Sequence, residues 1–415
     1  MRKVLLLMVF ALAGTITYAG GYRVGVQGQR ALAMGHTGVA VVNSAELGFF
    51  NPAGLVYLEN QLTVSAGVSA VFSEVAWQNE MTGETARTDN PAGTPFYFNA
   101  SYKLNENLAL GLSVYTPYGS TVKWEDDWAG SHLVNNIELQ AIYIQPLISY
   151  KIANFLSVGG GPIFVTGSVN FNRNLSRTLT DIDGNRSNVT IDASGVNEWG
   201  WSAGALLTAT EDLRIGVNYR SEIIMNAEDG DADFQNVPQT PLAPYSDTTF
   251  DAQLPLPAEL TIGLSYQLNE KWLLAFDFNR TFWDVYESLD IKFANGVVSE
   301  NPRNYEDANT WRFGAQYMAT DKLTLRAGYY LDESPVQEGY FAPETPRNDS
   351  MGFTAGLSLD VTSKLAIDAS FAYIRFDEVD ASYNHYIDEN GQNVPFGGTY
   401  KSVAFIPGIG VTYKL

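Results

Sequence analysis

Phe96-Tyr97-Phe98-Asn99-Ala100-Ser101-Tyr102-Lys103-Leu104-Asn105-Glu106-Asn107-Leu108 reads as a strand, a short polar turn and the restart of a second strand. Phe96, Phe98, Ala100, Tyr102 and Leu104 share one face; Tyr97, Asn99, Ser101 and Lys103 share the other, because successive strand residues point to opposite sides of the pleat. The same period of two returns downstream. Leu213, Ile215, Val217 and Tyr219 oppose Arg214, Gly216, Asn218 and Arg220; Leu260, Ile262, Leu264, Tyr266 and Leu268 oppose Glu259, Thr261, Gly263, Ser265 and Gln267. Leu323, Leu325, Ala327 and Tyr329 oppose Lys322, Thr324, Arg326 and Gly328. Each strand has one greasy and one polar side, which suits a soluble sandwich as well as a barrel.

The turns separate the two. Six short connections share the form of a few polar residues before an apolar restart: 104–108, 152–155, 210–213, 268–272, 320–323 and 362–365. Between them lie seven longer polar stretches, near 75–94, 119–136, 173–188, 227–249, 287–304, 333–347 and 378–399. Thirteen connections imply fourteen strands, with both chain ends on the short-turn side. Short turns at one rim, long loops at the other and an even strand number describe an outer-membrane barrel. The fold expected is all-β: a fourteen-stranded antiparallel transmembrane β-barrel over residues 61–415. In the last strand Ile409, Val411, Tyr413 and Leu415 share a face, and it must pair with the first, because unpaired backbone groups are costly in lipid. Many such barrels end in Phe; this chain ends in Leu415.

Composition agrees. Apolar residues make up 45% of the 415, yet beyond the extreme N-terminus no run is long enough for a membrane helix. Arg2 and Lys3, the apolar run from Val4 to Gly14, and Thr17-Tyr18-Ala19 have the three parts of a secretory signal, so 1–19 is expected to be removed. Losing two cations takes the formal charge from −21 to −23, which argues against nucleic-acid binding. Zero Cys excludes disulfides, thiolate metal sites and thiol nucleophiles.

Residues 20–60 do not alternate. Gly20, Gly21, Gly25, Gly28, Gly35, Gly38, Gly48 and Gly54 interrupt any long element, and small residues permit a compact coil. So short a segment cannot bury enough apolar surface to offset its ordering entropy alone. It needs a host, and the barrel lumen is the available one. Within it, Gly48-Phe49-Phe50-Asn51-Pro52-Ala53-Gly54 forms an apolar-aromatic turn placed just before the barrel begins. Asn51 is suited to fixing that turn through backbone hydrogen bonds, and Pro52 to holding its shape.

No enzyme is legible. The histidines, His36, His132 and His385, fall outside the expected strands, so none can serve a wall serine as general base. The acidic stretches Asp181-Ile182-Asp183-Gly184-Asn185 and Glu228-Asp229-Gly230-Asp231-Ala232-Asp233 read as solvated loops; the first has Arg186 where a helix-loop-helix calcium site requires glycine. Neither a catalytic residue, a metal site nor a cofactor is expected. Pro117, Pro146, Pro162, Pro257 and Pro407 cannot donate to the ladder and should mark ends, bulges or breaks. Pro117, in Val114-Tyr115-Thr116-Pro117-Tyr118-Gly119, either ends the third strand before a loop or distorts it and leaves a gap in the wall.

With these residues laid out, the chain resembles the FadL-type long-chain fatty acid transporters of Gram-negative outer membranes. The resemblance rests on Phe50-Asn51-Pro52-Ala53-Gly54, on Leu256-Pro257-Ala258-Glu259-Leu260 running to Tyr266, on Trp311-Arg312-Phe313-Gly314-Ala315-Gln316-Tyr317, on Leu325-Arg326-Ala327-Gly328-Tyr329 and on Asp332-Glu333-Ser334-Pro335. It implies an N-terminal hatch blocking the lumen, capture of a hydrophobic ligand on outer loops, binding inside, and hatch-gated lateral release beside a kinked third strand. Phe49, Phe50, Asn51, Pro52 and Ala53 would then belong to the hatch, and Tyr115, Thr116, Pro117, Tyr118 and Gly119 to the lateral opening. Arg214, Arg220, Arg312 and Arg326, pointed inward by alternation, are candidate contacts for a ligand headgroup. The expected partners are a fatty acid or similar hydrophobic ligand and outer-membrane lipids. The expected location is the outer membrane of a Gram-negative bacterium, as a monomer with both termini periplasmic. A general diffusion porin and an adhesion or structural barrel are the competing functions.

Overall fold

The computed structural model describes residues 21–238, 245–388 and 390–415; the expected signal segment, 1–19, lies outside them. Fourteen long strands close into one antiparallel barrel. In chain order these are β1 (Leu62–Ser69, continued by Phe72–Gln78), β2 (Phe96–Asn105), β3 (Leu108–Lys123), β4 (Asn136–Ala153) and β5 (Leu156–Asn174). Next come β6 (Asn188–Thr208), β7 (Leu213–Arg220, continued by Ile223–Gln235), β8 (Thr248–Leu256, continued by Glu259–Gln267) and β9 (Trp272–Thr281). The wall ends with β10 (Ala308–Met318), β11 (Leu323–Asp332), β12 (Ser350–Asp360), β13 (Leu365–Phe376) and β14 (Phe396–Lys414). Each pairs with its neighbour, and β14 returns to β1, with Thr63 opposite Lys414 and Ser69 opposite Gly408.

The six short turns join strands at one rim, as the spacing predicts. The long connections carry extra wall: β1 runs on to Gln78 and β14 begins at Phe396, inside stretches that read as loop from their polarity. β6, at 21 residues, spans about 70 Å at strand rise. Even when tilted it outruns a hydrocarbon core of ~30 Å, so the barrel projects beyond the membrane on the long-loop side.

Burial is inverted relative to a soluble protein. Leu110, Leu112, Ile148, Ile262, Leu264, Leu325, Phe353, Phe371, Ile409 and Val411 are exposed, while Ser65, Asn99, Gln145, Ser149, Asp277, Asn279, Thr310, Asp368 and Thr412 are buried. An apolar outer band suits lipid, and buried polar groups inside require partners.

Residues 21–61 supply many of those partners. Three short helical turns, α1 (Gln29–Leu32), α2 (Leu47–Phe50) and a 3-10 turn (Pro52–Tyr57), pack against the inner wall. Asp277 on β9 accepts the Gly38 and Val39 amides (2.8 and 3.1 Å). Ser265 on β8 donates to the Ala40 carbonyl (2.7 Å), and Ser149 and Ser157 on β4 and β5 donate to that of Ala53 (3.1 and 2.6 Å). Arg30 forms an ion pair with Asp368 on β13 (2.9 Å). The wall is thinned where the segment touches it: a Cβ on Gly159 would lie 2.6 Å from the Ala53 nitrogen. Tyr22 is buried among Trp283, Tyr118 and Tyr286, since its phenol donates to the Pro255 carbonyl across the lumen.

Candidate functional site

The third strand is distorted within its length. Tyr115 faces Tyr143 and Tyr118 faces Ala141, so Thr116 and Pro117 together oppose Ile142 alone. On its other edge β3 pairs with β2 only as far as Tyr115 opposite Tyr97. Beyond that point the β2 side turns to β1, where Ser69 N–H donates to the Pro95 carbonyl and Val71 bridges Gly93. The abandoned edge of β3 is taken up from inside. Val24 N–H donates to the Pro117 carbonyl (2.8 Å), and Gly119 N–H donates to that of Tyr22 (3.1 Å). Of the two readings of Pro117, the geometry matches distortion: β3 continues to Lys123.

A cavity of about 490 Å³ lies at this break. Its outer lining includes Pro91–Pro95, Thr121 and Glu138, and its inner lining Arg23, His36, Thr310, Arg312, Tyr330, Asp332 and Arg347. A second, more apolar cavity of about 110 Å³ sits toward the long loops among Leu139, Val169, Ile191, Met225, Phe250 and Leu254, with Arg173, Arg303 and Glu344 at its polar end. Arg303 and Glu344 are ion-paired there; burial pulls the Arg303 guanidinium's pKa down, but the Glu344 carboxylate outweighs it and holds the group above its ordinary value.

Between the cavities and the short-turn half stands a charged and aromatic layer. Arg23 bonds Asp332 (2.8 Å), Glu259 (3.4 Å), Thr281 (3.0 Å), Thr310 (2.7 Å) and Asn279. Arg220 pairs with Glu259 (3.3 Å) and donates to the Phe49 carbonyl (3.0 Å). Its guanidinium lies 4.5 Å from the centre of the Phe49 ring, within cation–π range. Phe49 stands edge-on to Tyr115 (5.0 Å) and to Phe50 (4.8 Å), and Phe50 meets His36 (4.8 Å). Tyr115 donates to Gln145 (2.8 Å), and Tyr118 to the Pro257 carbonyl (3.0 Å) and Glu259 (3.2 Å). His36 is held well below its ordinary pKa by burial, then by Arg312 and Arg23, and is neutral.

The expected site residues separate into groups. Phe49 and Phe50 reach the layer beneath the wall break. Asn51, Pro52 and Ala53 lie nearer the short-turn rim: Asn51 donates to the Val39 and Ala205 carbonyls (2.9 and 3.0 Å) and accepts the Ala53 amide (3.2 Å). Thr116, Tyr118 and Gly119 line the larger cavity, Pro117 a small void beside it. Of the four arginines expected from the sequence, only Arg312 lines the larger cavity. Arg220 is tied to Glu259 and Phe49; Arg326 donates to Gln316 (2.9 Å) and Ser358 (2.6 Å); Arg214 lines neither cavity. Sequence reasoning passed over Arg23, Arg347 and Trp283, since they lie in non-alternating segments where periodicity assigns no face.

Comparison with known proteins bears on this arrangement. The family model described as outer membrane protein transport protein (OMPP1/FadL/TodX) matches residues 10–415. An outer membrane protein of Neisseria meningitidis is 26% identical, covering 100% of this chain and 98% of its own. A long-chain fatty acid transport protein of Escherichia coli is 24% identical over 96% and 97%. Among solved structures, a Pseudomonas aeruginosa FadL homologue superposes with a TM-score of 0.83 at 19% identity, covering 95% of this chain and 99% of its own. The Pseudomonas putida toluene transporter TodX does so with a TM-score of 0.73 at 18% identity, covering 96% and 99%.

Proposed function

The chain belongs to the outer membrane transport family of OMPP1, FadL and TodX, and from that premise we propose that it carries long-chain fatty acids inward. It is an outer-membrane barrel without enzymatic activity, in a family that transports hydrophobic compounds. In the proposed route the ligand is captured at the long loops and held in the apolar cavity. It leaves sideways at the break in β3 when residues 20–60 shift as a hatch. The observation that carries the reading is the loss of β2–β3 pairing beyond Tyr97 and Tyr115, beside a cavity lined by both sides of the break. An acyl chain gains roughly 0.8 kcal/mol per CH₂ on leaving water; lateral exit into lipid keeps that gain. The whole route lies within one barrel, so a monomer suffices, and the exposed apolar band meets outer-membrane lipid.

Uptake of labelled oleate by cells lacking their own fatty acid transporter tests the proposal. Saturable uptake above the empty-vector control is expected; uptake equal to the control overturns it. A general diffusion porin would instead give large, steady single-channel currents from the intact protein. The contacts of residues 21–61 with the wall argue against such currents.

A further inference from the structure

The ladder between β6 and β7 is interrupted midway. Pairing runs from Thr208 opposite Arg214 to Ser202 opposite Arg220, and resumes only at Asp192 opposite Asp231. At the end nearer the short turns, the Trp201 N–H donates to the Ser221 hydroxyl (3.0 Å) instead of to a backbone carbonyl. Each strand carries a bulge within the interval. On β6 the extra residue is Gly195 (φ 69°), since Val196 faces Gly167 and Ser194 faces Ser168 of β5. On β7, Glu228 and Asp229 (φ 53°) lie between Ala227 and Gly230, which face Ala252 and Phe250 of β8. Bulges bend a strand and end its pairing. A Cβ on Gly195 would meet nothing within 4 Å.

Side chains close what the backbone ladder leaves open. Ile223 and Met225 of β7 reach over positions that have no side chain. A Cβ on Gly200 of β6 would lie 2.5 Å from the Ile223 Cδ1, and one on Gly167 of β5 would lie 2.9 Å from the Met225 Cε. Across the seam, Asn226 donates to Glu198 (2.5 Å) and accepts from Gln253 of β8 (2.8 Å). Behind it lies the apolar cavity, whose lining takes Val196 from one side of the seam and Met225 and Ala227 from the other. Trp199, Trp201 and Ile224 are exposed on the outer surface. Eight residues of β7, Leu213–Arg220, precede the seam, about 27 Å of strand, which at barrel tilt crosses most of an apolar band ~25 Å tall. The seam therefore opens at the outer-leaflet boundary, where the two tryptophans form part of an aromatic girdle and unpaired backbone groups escape the hydrocarbon.

We propose that this seam is a lateral inlet, through which a single-chain lipid already dissolved in the outer leaflet enters the apolar cavity tail first between β6 and β7. Methionine is unbranched and flexible, so Met225 can swing away from bare Gly167 without disturbing any ladder. The Glu198–Asn226–Gln253 relay is the latch that must part. A chain passing from lipid into an apolar cavity exposes none of its CH₂ groups to water. The inlet rests on the transport reading above and deepens it by giving the cavity a membrane source besides the loops. It is separate from the break in β3, so admission and release occupy different seams of one wall.

The chain contains no cysteine, so E198C/N226C supplies the only two thiols, one on each side of the seam. A bis-methanethiosulfonate reagent bridges them, and dithiothreitol removes the bridge. The full chain is reconstituted into vesicles holding a C16 fatty alcohol with a diazirine in its tail, irradiated, and its adducts mapped by mass spectrometry. Unbridged protein should carry adducts on Val196, Met225 and Leu254. Bridging should abolish them, dithiothreitol should restore them, and adducts on the lipid-facing Leu325 and Phe353 should stay constant throughout. Cavity adducts that persist after bridging, or that are missing from the unbridged protein, overturn the inlet. The readout needs no uptake: cells that take up no oleate, while the bridge still governs cavity labelling, overturn the transport reading alone.

Discussion

Replacing Asn51 with Ala should loosen residues 21–60 without harming the barrel. The Asn51 side chain is fully buried and makes three hydrogen bonds, to the carbonyls of Val39 and Ala205 and from the Ala53 amide. Two of these stay within the segment and one crosses to β6. Alanine leaves all three backbone partners buried and unmatched. At ~1 kcal/mol for each lost bond, the segment is destabilised by about 3 kcal/mol, roughly a hundredfold in its opening equilibrium. The wall ladder does not depend on this side chain, so the barrel should keep its resistance to SDS below the heating step. Hydrogen exchange by mass spectrometry should show amides of 34–58 exchanging about a hundred times faster, with strand amides unchanged. Uptake of oleate should fall, because Phe49 is then no longer held against Tyr115 and Arg220. Unchanged exchange in 34–58, or loss of the heat-modifiable band, would refute the assignment of Asn51 as a local anchor.

Gly159→Leu pushes a side chain into the Pro52–Ala53 backbone, which already lies 2.6 Å from a bare Cβ at that position; the segment should be displaced from an assembled barrel, and planar-bilayer recordings should show steady ion current absent in the parent. Deleting Pro117 removes one of the two residues opposing Ile142 and lets β3 regain register, so oleate uptake should drop while barrel assembly persists; uptake at the parental rate would separate the break from transport. His36 sets a pH dependence. Its pKa in the closed state is depressed, so its contribution is intact above the ordinary histidine value of about 6.5 and is lost as pH falls below it, by up to ~1.4 kcal/mol per pH unit. Exchange of residues 21–60 should therefore quicken on acidification below that point. Glu46, whose pKa is raised by burial and Asp368, acts in the opposite sense, losing its contribution as pH rises. His36→Asn keeps a residue tolerant of the left-handed backbone found there (φ 61°) and should abolish the acid-side quickening.

Strand number and closure were legible because both depend on local signals: a period of two, and turn polarity repeated at one rim. The same alternation placed Ser265 and Asn218 on the polar face without knowing what they would meet. What it could not reveal was the partner across the lumen. Gly216 and Gly328 read only as members of a polar face, yet each leaves room for the backbone of the N-terminal segment. The Pro117 distortion was visible as a missing donor, but whether the strand ended or bulged depends on the register of β4, a long-range property. Arg23 and Arg347 carried no signal. They belong to non-periodic segments, and their positions follow from tertiary contacts alone.

The seam between β14 and β1 has a consequence for how the molecule is made. Inside it, Gln29 bonds the Val68 carbonyl (3.2 Å) and Ser69 (3.1 Å) on β1 and Ser370 on β13, while Asp368, held by Arg30, also takes the Thr412 hydroxyl of β14 (2.7 Å). The first and last wall elements are thus stitched together by a segment synthesised before either. Once the ring is shut, that segment lies wholly inside it, so it must be captured while the ring is still open. The segment that precedes the wall in the chain therefore serves as the template on which its final strand comes to rest, and a barrel that closed without it would leave Asp368 facing an empty lumen without Arg30.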